Sequence, residues 1–197
     1  MTNDVLGAAA PTARFRNVIE GEWHFEPGVG RVLHVHSRGA RRFSPFCCFV
    51  TAYGVNKSIE SHYQESKIFE GGRRPRDWRE AKSFGKRRPH GLGLRQTGWQ
   101  IGPHLFDVTP NARGTSFTVD DAGVQFYIRL WHRHLTAHPE LVEEARQYDG
   151  WLDPFEGDFP FGQAKVFELV ARRGVAALEP LFAPLVARIE EIKARGK

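Results

Sequence analysis

The chain has 197 residues, of which 41% are hydrophobic and 26% are charged, and its formal net charge is +5 at pH 7. These values are typical of one soluble globular domain, and no apolar run approaches the roughly 18 residues of a membrane span. The only two cysteines, Cys47 and Cys48, are adjacent, which excludes a disulfide scaffold and favours a reducing compartment. We therefore expect a cytoplasmic protein with a disordered lead-in over 1–13 and a single domain over 14–197.

Strand signals come first along the chain. The alternating run over 31–36 predicts a strand, and 43–53 predicts a second extended, buried segment. The residues 53–56 predict a turn, and the sequence over 58–69 that follows predicts a helix, which the two glycines at 71–72 end.

The rest of the chain predicts mainly helices. A Gly/Pro-rich segment over 89–116 predicts a long loop or irregular strands, and an aromatic, acidic loop is expected over 150–162. The helices are predicted over 75–84, 120–137, 139–148, 163–173 and 184–194. Helix therefore dominates, with a small sheet near the N-terminal part, and the predicted fold class is α+β.

The predicted helix over 58–69 carries an unusual polar face. Glu60, Gln64 and Lys67 are spaced i, i+4 and i+7, which on a helix places their side chains within an arc of roughly 60°. Apolar residues, Ile59 and Ile68 among them, flank this arc. A titratable group among apolar residues must either pair with another polar group or serve a functional site. The face is therefore either a polar site or a solvated surface with an ion pair.

The net positive charge is concentrated in one short segment over 73–88, where two acidic residues offset eight basic ones. The basic residues are Arg73, Arg74, Arg76, Arg79, Lys82, Lys86, Arg87 and Arg88. Such a segment suits a phosphate-bearing partner, either a nucleotide or a nucleic acid, and it equally suits a solvated basic surface.

Several familiar cofactor and nucleophile motifs are missing from the sequence. There is no phosphate-binding loop, dinucleotide-binding glycine fingerprint, zinc-finger spacing or nucleophile elbow. Two histidine pairs, His34 with His36 and His134 with His138, have a spacing that a metal could use, but no further ligand completes either set. We therefore expect neither a metal nor a cofactor.

Three short elements follow one another in a meaningful order. Phe-Ser-Pro-Phe occupies 43–46, a Ser-x-Glu-x-x-x-Gln-x-x-Lys-Ile helix occupies 58–68, and Ala-Lys-x-x-Gly-Lys occupies 81–86. A helix and a His-Pro-Glu-Leu break at 138–141 come after them. Together these elements resemble the NADAR-domain family over about residues 43–150. The resemblance implies a NADAR-like fold.

The resemblance also implies an activity, which is cleavage of an N-glycosidic bond between ribose and a nitrogen. Family members act on riboflavin-pathway intermediates or on ADP-ribosylated guanine bases of nucleic acid. The implied partner is therefore a phosphorylated ribosyl small molecule or a modified nucleic acid such as DNA. Glu60 is the carboxylate that would stabilise the oxocarbenium-like sugar. Lys67 or Lys82 would attack the opened sugar as an imine or act as a general acid.

Further residues are candidates for holding such a substrate. Gln64 would orient a ribose hydroxyl or the base edge, the arginines would hold phosphate groups, and the aromatic rings would stack on a base. The substrate-binding candidates are Gln64, Tyr63, Arg87, Arg88, Trp151 and Asp153.

The basic segment over 73–88 supports an alternative function. Positive charge with interleaved aromatic residues is sufficient for a non-catalytic module that binds nucleotides or nucleic acid. The two functions differ in one respect: binding by such a module would not require Glu60.

Overall fold

The computed structural model describes residues 21–36, 38–110, 115–153 and 162–195. The predicted lead-in over 1–13 and most of the predicted loop over 150–162 lie outside these ranges. The strands are β1 (Trp23–Glu26), β2 (Gly30–His34), β3 (Phe49–Ala52), β4 (Val55–Ser58), β5 (Lys67–Phe69), β6 (Gln96–Ile101), β7 (His104–Asp107) and β8 (Gly150–Leu152). The helices are α1 (Ile59–Glu65), α2 (Trp78–Gly85), α3 (Val119–Gly123), α4 (Arg129–Ala137), α5 (Pro139–Ala145), α6 (Gln163–Arg173) and α7 (Glu179–Arg195). The chain therefore has mixed α and β structure.

The strands form three small sheets. β1 pairs with β2 in antiparallel fashion and β8 adds to β2 in parallel, β3 and β4 form a hairpin, and β5, β6 and β7 form an antiparallel sheet. The strands thus extend beyond the small sheet predicted near the N-terminal part. β6 and β7 form a hairpin within 89–116, where the sequence predicts a long loop or irregular strands. Gly98 permits this pairing, since a Cβ atom there would lie 2.6 Å from the carbonyl oxygen of Phe106.

The β3–β4 hairpin leads directly into α1. The turn predicted over 53–56 is confirmed at Tyr53 and Gly54, which have φ angles of 53° and 81°. Positive φ at both central residues is typical of the tight hairpin turn that matches strand twist. The other two residues of the predicted turn, Val55 and Asn56, instead pair in β4.

Helix α1 begins as the sequence predicts and ends earlier. The Oγ of Ser58 caps it by accepting a hydrogen bond of 3.1 Å from the backbone N–H of Ser61. At the other end, the Ser66 hydroxyl donates to the carbonyl of Tyr63, and the Ser66 carbonyl accepts from the N–H of Gln100 in β6. The chain therefore leaves the helix to pair with β6, and the prediction of helix over 58–69 is wrong from Lys67 onward.

The predicted helix over 120–137 is confirmed, with one interruption. Thr118 caps it in a reciprocal capping box with Asp121, and a single π-helical turn, Val124–Ile128, separates α3 from α4. This helix packs at the centre of the core. The fully buried aromatic residues of the core are Trp99, Trp131, Phe43, Phe106, Phe117, Phe126 and Phe167.

The C-terminal helices complete the packing. Helix α6 has the predicted bounds, Gln163–Arg173, whereas α7 starts at Glu179 and contains Pro184 within it rather than beginning there. None of the helices in the described ranges has both the length and the apolar character needed to cross a bilayer.

Candidate functional site

Glu60 lies in the first turn of α1 and is only 5% exposed. Its backbone N–H donates a hydrogen bond of 3.0 Å to the carbonyl oxygen of Pro45, so the segment before β3 covers the start of the helix. The first turn is also where a helix dipole favours a carboxylate. The fold therefore holds one carboxylate side chain inside the protein, at the helix end that stabilises it.

Three side chains from three different elements reach the Glu60 carboxylate. Gln64 Nε2 donates to Oε1 over 2.9 Å, and Lys82 Nζ lies 3.3 Å from the same oxygen. The Tyr127 hydroxyl donates to Oε2 over 2.5 Å. Both oxygens of the carboxylate are thus engaged, which satisfies the requirement that a buried charge be paired and hydrogen-bonded.

Lys67 extends this network through Gln64. Its Nζ donates a hydrogen bond of 2.8 Å to Oε1 of Gln64 and lies 4.4 Å from the ring centroid of Tyr63 and 5.9 Å from that of Trp99. The pKa of Lys67 is lowered to about 8, chiefly by burial; the Glu60 charge opposes this change and the positive charge of Lys82 adds to it. Lys67 is therefore an amine that is readily deprotonated near neutral pH.

Lys82 comes from α2, whose N-terminus is capped by the Asp77 carboxylate. Besides its ion pair with Glu60, the Lys82 ammonium lies 4.7 Å from the ring centroid of Phe46 and 5.2 Å from that of Trp78. Helix α2 thus brings a cation to the carboxylate from a separate element, and Phe46 and Trp78 hold that cation in place.

The Lys82 side chain lines two open clefts. We call the first, about 510 Å³ in volume, the aromatic cleft; it is lined by Arg41, Phe46, Cys47, Trp78 and Lys82. We call the second, about 360 Å³, the lysine cleft; its lining includes Gln64, Lys67, Phe69, Lys82, Lys86 and Gln96. Both volumes lie in the range of small-molecule sites. The buried carboxylate therefore lies beside a cation that two accessible clefts share.

The structure brings only part of the predicted site together. Glu60, Gln64, Lys67 and Lys82 form one network, although Lys67 reaches it from β5 and not from a helical i+7 position. Tyr63 belongs to the network as packing, because its ring lies 5.3 Å from that of Trp99 and under the Lys67 ammonium. Burial and the Glu60 charge raise the pKa of Tyr63 to about 12, so its hydroxyl stays protonated.

The other predicted substrate-binding residues lie elsewhere. Arg87 and Arg88 are exposed after α2, and Trp151 lies in β8, where it packs against the core beside β2. Asp153 follows β8. Among the described residues that line the two clefts, none of these four appears. The two clefts beside Glu60 are therefore built without them.

Two contributions to the site are absent from the sequence-based expectations. Tyr127 reaches Glu60 from the π-helical turn, 67 residues away in sequence, and no local motif marks it. Trp78, at the first position of α2, faces Phe46 with the rings 5.4 Å apart and nearly perpendicular. A signal for Trp78 did exist, since it is an aromatic residue within the basic segment over 73–88.

The histidines pair with one another, with backbone groups or with single carboxylates, as His138 does with Glu140. His24 Nδ1 and His34 Nε2 are 2.7 Å apart, and His34 Nδ1 donates to the carbonyl of Gly21. Burial lowers the pKa of His34 and of His134. Throughout the part of the chain that the structure describes, no three His, Cys, Asp or Glu side chains are arranged so as to hold a metal ion.

This arrangement suits a reaction in which an amine attacks a carbon atom that develops positive charge. A buried carboxylate can stabilise developing positive charge, and an amine with a pKa of about 8 can act as a nucleophile. The neighbouring ammonium of Lys82 can donate a proton.

No protein-family model matches the chain, and no curated protein is significantly similar to it.

Proposed function

We propose that the protein is an N-glycosidase that cleaves the ribose–nitrogen bond of a phosphorylated ribosyl substrate, of which ADP-ribosyl attached to a nucleobase is the leading example. One observation carries the proposal. The three sequence elements that resemble the NADAR-domain family meet at a single residue, Glu60: the Pro45 carbonyl accepts a hydrogen bond from its backbone N–H, and Lys82 pairs with its side chain. A NADAR-like fold is part of the same proposal.

Glu60 has the electrostatic role in the proposed reaction. Breaking an N-glycosidic bond leaves positive charge on the anomeric carbon and the ring oxygen of the sugar. A carboxylate that is already oriented by Gln64 and Tyr127 stabilises this charge without reorganising. Its low exposure strengthens the effect, because fewer water molecules screen the interaction.

Lys67 has the role of nucleophile. With a pKa of about 8, about a tenth of this side chain is neutral at pH 7. The neutral amine adds to the anomeric carbon while the carbon–nitrogen bond breaks and the base departs with the bonding electrons. The ring oxygen then takes the second proton of the Lys67 amine as the sugar opens to an imine on Lys67. Water hydrolyses this imine, which releases the sugar as its aldehyde and restores the amine.

Lys82 has the role of general acid. The leaving nitrogen takes a proton from the Lys82 ammonium, and the proton that Lys67 loses when it is alkylated returns to Lys82. The overall reaction thus consumes one water and yields the free base and the sugar. This division of roles follows from the pKa of Lys67, which burial lowers to about 8, and from the ion pair of Lys82 with Glu60.

The test is a comparison of two carboxylates on one helix. Glu60→Gln should lower base release from a panel of 5′-phosphorylated N-ribosides, ADP-ribosylated guanine among them, by about a hundredfold or more. Glu65→Gln is the matched control, since Glu65 lies on α1 but pairs with Lys57. Chromatography of the released base measures both. If the Glu60→Gln protein releases base at the parental rate, or the parent releases none, the proposal fails.

A second candidate function has its own supporting observation. Arg73, Arg74, Arg87 and Arg88 are all exposed, and none of them has an ion pair among the described residues. Such cations suit a non-catalytic module for nucleotides or nucleic acid. Binding to a polyanion that survives Glu60→Gln, without turnover of any riboside, would favour this function over the first.

A further inference from the structure

The aromatic cleft has two ring surfaces set at an angle. The rings of Phe46 and Trp78 have centroids 5.4 Å apart and planes inclined by 75°. Both residues lie partly exposed at the cleft, whose volume is about 510 Å³. Each ring therefore has part of its surface at the cleft, beside the cations that lie over it, and aromatic surfaces prefer planar partners with an offset-stacked or edge-to-face geometry.

The edges of the same cleft are cationic. Arg41 and Lys82 line it, and the guanidinium carbon of Arg79 lies 5.0 Å from the ring centroid of Trp78. No carboxylate is found among its described lining residues. These cationic groups donate hydrogen bonds and accept none. A ligand here is therefore a planar ring whose edge carries acceptor atoms, which is the chemistry of a heteroaromatic base.

The lysine cleft, which also contains Lys82, differs in chemistry. Gln64, Lys67, Lys86 and Gln96 line it, so most of its polar groups are amides and amines. Amides bind hydroxyl groups, and ammonium groups bind phosphates. A phosphorylated sugar carries the hydroxyl and phosphate groups that these side chains bind. The remaining described lining, Phe69, Ala81 and Leu94 among it, contains one aromatic ring and so lacks the paired rings of the aromatic cleft.

We propose that Lys82 divides the site into two subsites: the aromatic cleft binds the heteroaromatic leaving group, and the lysine cleft binds the phosphorylated ribose. The assignment rests on the proposed function. It places the scissile bond beside Lys82, whose Nζ lies 3.3 Å from the Glu60 carboxylate. The base and the sugar then lie on either side of the Lys82 side chain, and the bond that joins them passes beside the ammonium that protonates the leaving nitrogen.

The chain contains a reporter for the aromatic cleft. Cys47 lines this cleft, and the only other cysteine, Cys48, is buried with its Sγ donating to the carbonyl of Arg42. Burial also raises the pKa of Cys48 to about 12, which keeps its thiol protonated and unreactive. Alkylation of the native protein therefore measures access to Cys47, and Cys47→Ser should abolish it.

The experiment measures protection of Cys47 from iodoacetamide by two probes. Adenosine 5′-monophosphate, which carries a base, should slow alkylation at least about fivefold at saturation, whereas ribose 5-phosphate should leave the rate unchanged. Trp78→Ala should raise the concentration of the nucleotide needed for half-protection about five- to a hundredfold. Trp23→Ala is the matched control, because Trp23 is an exposed tryptophan on β1. Trp78→Phe keeps a ring and should keep the protection.

Several outcomes would overturn the assignment. These are equal protection by ribose 5-phosphate, no protection by the nucleotide, or the same loss in Trp23→Ala as in Trp78→Ala. Phe46→Ala removes the other ring of the cleft as a second test. A melting curve for each variant shows whether lost protection comes from the missing ring or from unfolding. The result is independent of turnover. Nucleotide protection without base release from any riboside contradicts the proposed function alone, and base release without protection contradicts the subsites alone.

Discussion

The Tyr127 hydroxyl donates a hydrogen bond to Oε2 of Glu60 over 2.5 Å, and Gln64 donates to the other carboxylate oxygen. The carboxylate is thereby fixed from two directions, by its own helix and by the π-helical turn that packs against it. Tyr127 is a positioning residue in this arrangement, since it acts through Glu60.

Tyr127→Phe should separate positioning from substrate binding. The variant removes one hydrogen bond to a charged group, which contributes about 1.5–3 kcal/mol, and keeps the ring that packs 5.0 Å from Tyr63. We expect kcat to fall about tenfold with little change in KM, measured by steady-state base release. Tyr148→Phe provides the control. Because a purely structural role would lower the melting temperature while kcat per folded molecule stayed constant, that result would contradict positioning.

The pH dependence of the reaction should report Lys67. Its pKa of about 8 means that the neutral amine becomes the major form only above that pH. We therefore expect the rate of base release to rise with pH through the neutral range and to level off above about pH 8. Lys67→Arg keeps the charge but cannot form the neutral nucleophile, so it should be inactive at every pH. A rate that is independent of pH across the neutral range would contradict the assignment.

The same group should make stability depend on pH. Folding lowers the pKa of Lys67 from 10.5 to about 8, chiefly through burial. Between these two values the unfolded chain binds more protons than the folded one, so the free energy of unfolding rises with pH across this window. Below about pH 8 the destabilisation that results from burying the charged Lys67 is fully present. Chemical denaturation on either side of the window should show this rise in the parent and not in Lys67→Met.

The two lysines should respond differently to substitution and to trapping. Borohydride added during turnover should reduce an imine on the peptide that contains Lys67, as measured by mass spectrometry. Lys82→Arg preserves the ion pair with Glu60 but is a poor acid, so it should still form the adduct while releasing base more slowly. An adduct on Lys82 in the parent protein would reverse the two roles.

The exposed arginines should contribute to the binding of polyanions. Replacing Arg73, Arg74, Arg87 and Arg88 with serine should weaken binding to single-stranded DNA and flatten its salt dependence. The slope of log K against log salt should fall by about 0.7 for each phosphate that the variant no longer neutralises. Fluorescence anisotropy at several salt concentrations measures this slope. An unchanged slope would show that these arginines do not bind phosphates.

The extent to which the sequence predicts this site differs between residues. Glu60 and Gln64 are local, four residues apart on a capped helix, so their spacing alone predicts that they meet. Lys67 joins them for another reason. Pairing of β5 with β6 ends the helix, and the long side chain still reaches Gln64. This strand pairing places Lys67 opposite Trp99, which lies far along the chain. The periodicity of a local segment cannot predict such a long-range contact.

The clefts were harder to predict than the network. Arg87 and Arg88 were candidates because of their charge, yet only Lys82 and Lys86 among the basic residues over 73–88 line a cleft. Whether a basic residue lines a cleft depends on the direction in which its side chain leaves α2. The charge density along the sequence does not specify that direction. Phe46 and Trp78 meet only after the chain has folded, so their contact had no local signature.

The π-helical turn at Val124–Ile128 has a consequence for variation among related chains. A turn of this kind corresponds to one inserted residue in an α-helix. Deleting one residue there would restore the regular helix and rotate the side chains before the deletion by about 100° relative to those after it. Such a deletion would turn the Tyr127 hydroxyl away from Glu60, and the buried side chains of Val124 and Phe126 would rotate with it. A related chain that lacks this residue is therefore expected to repack this part of the core and to lose the second anchor of the carboxylate.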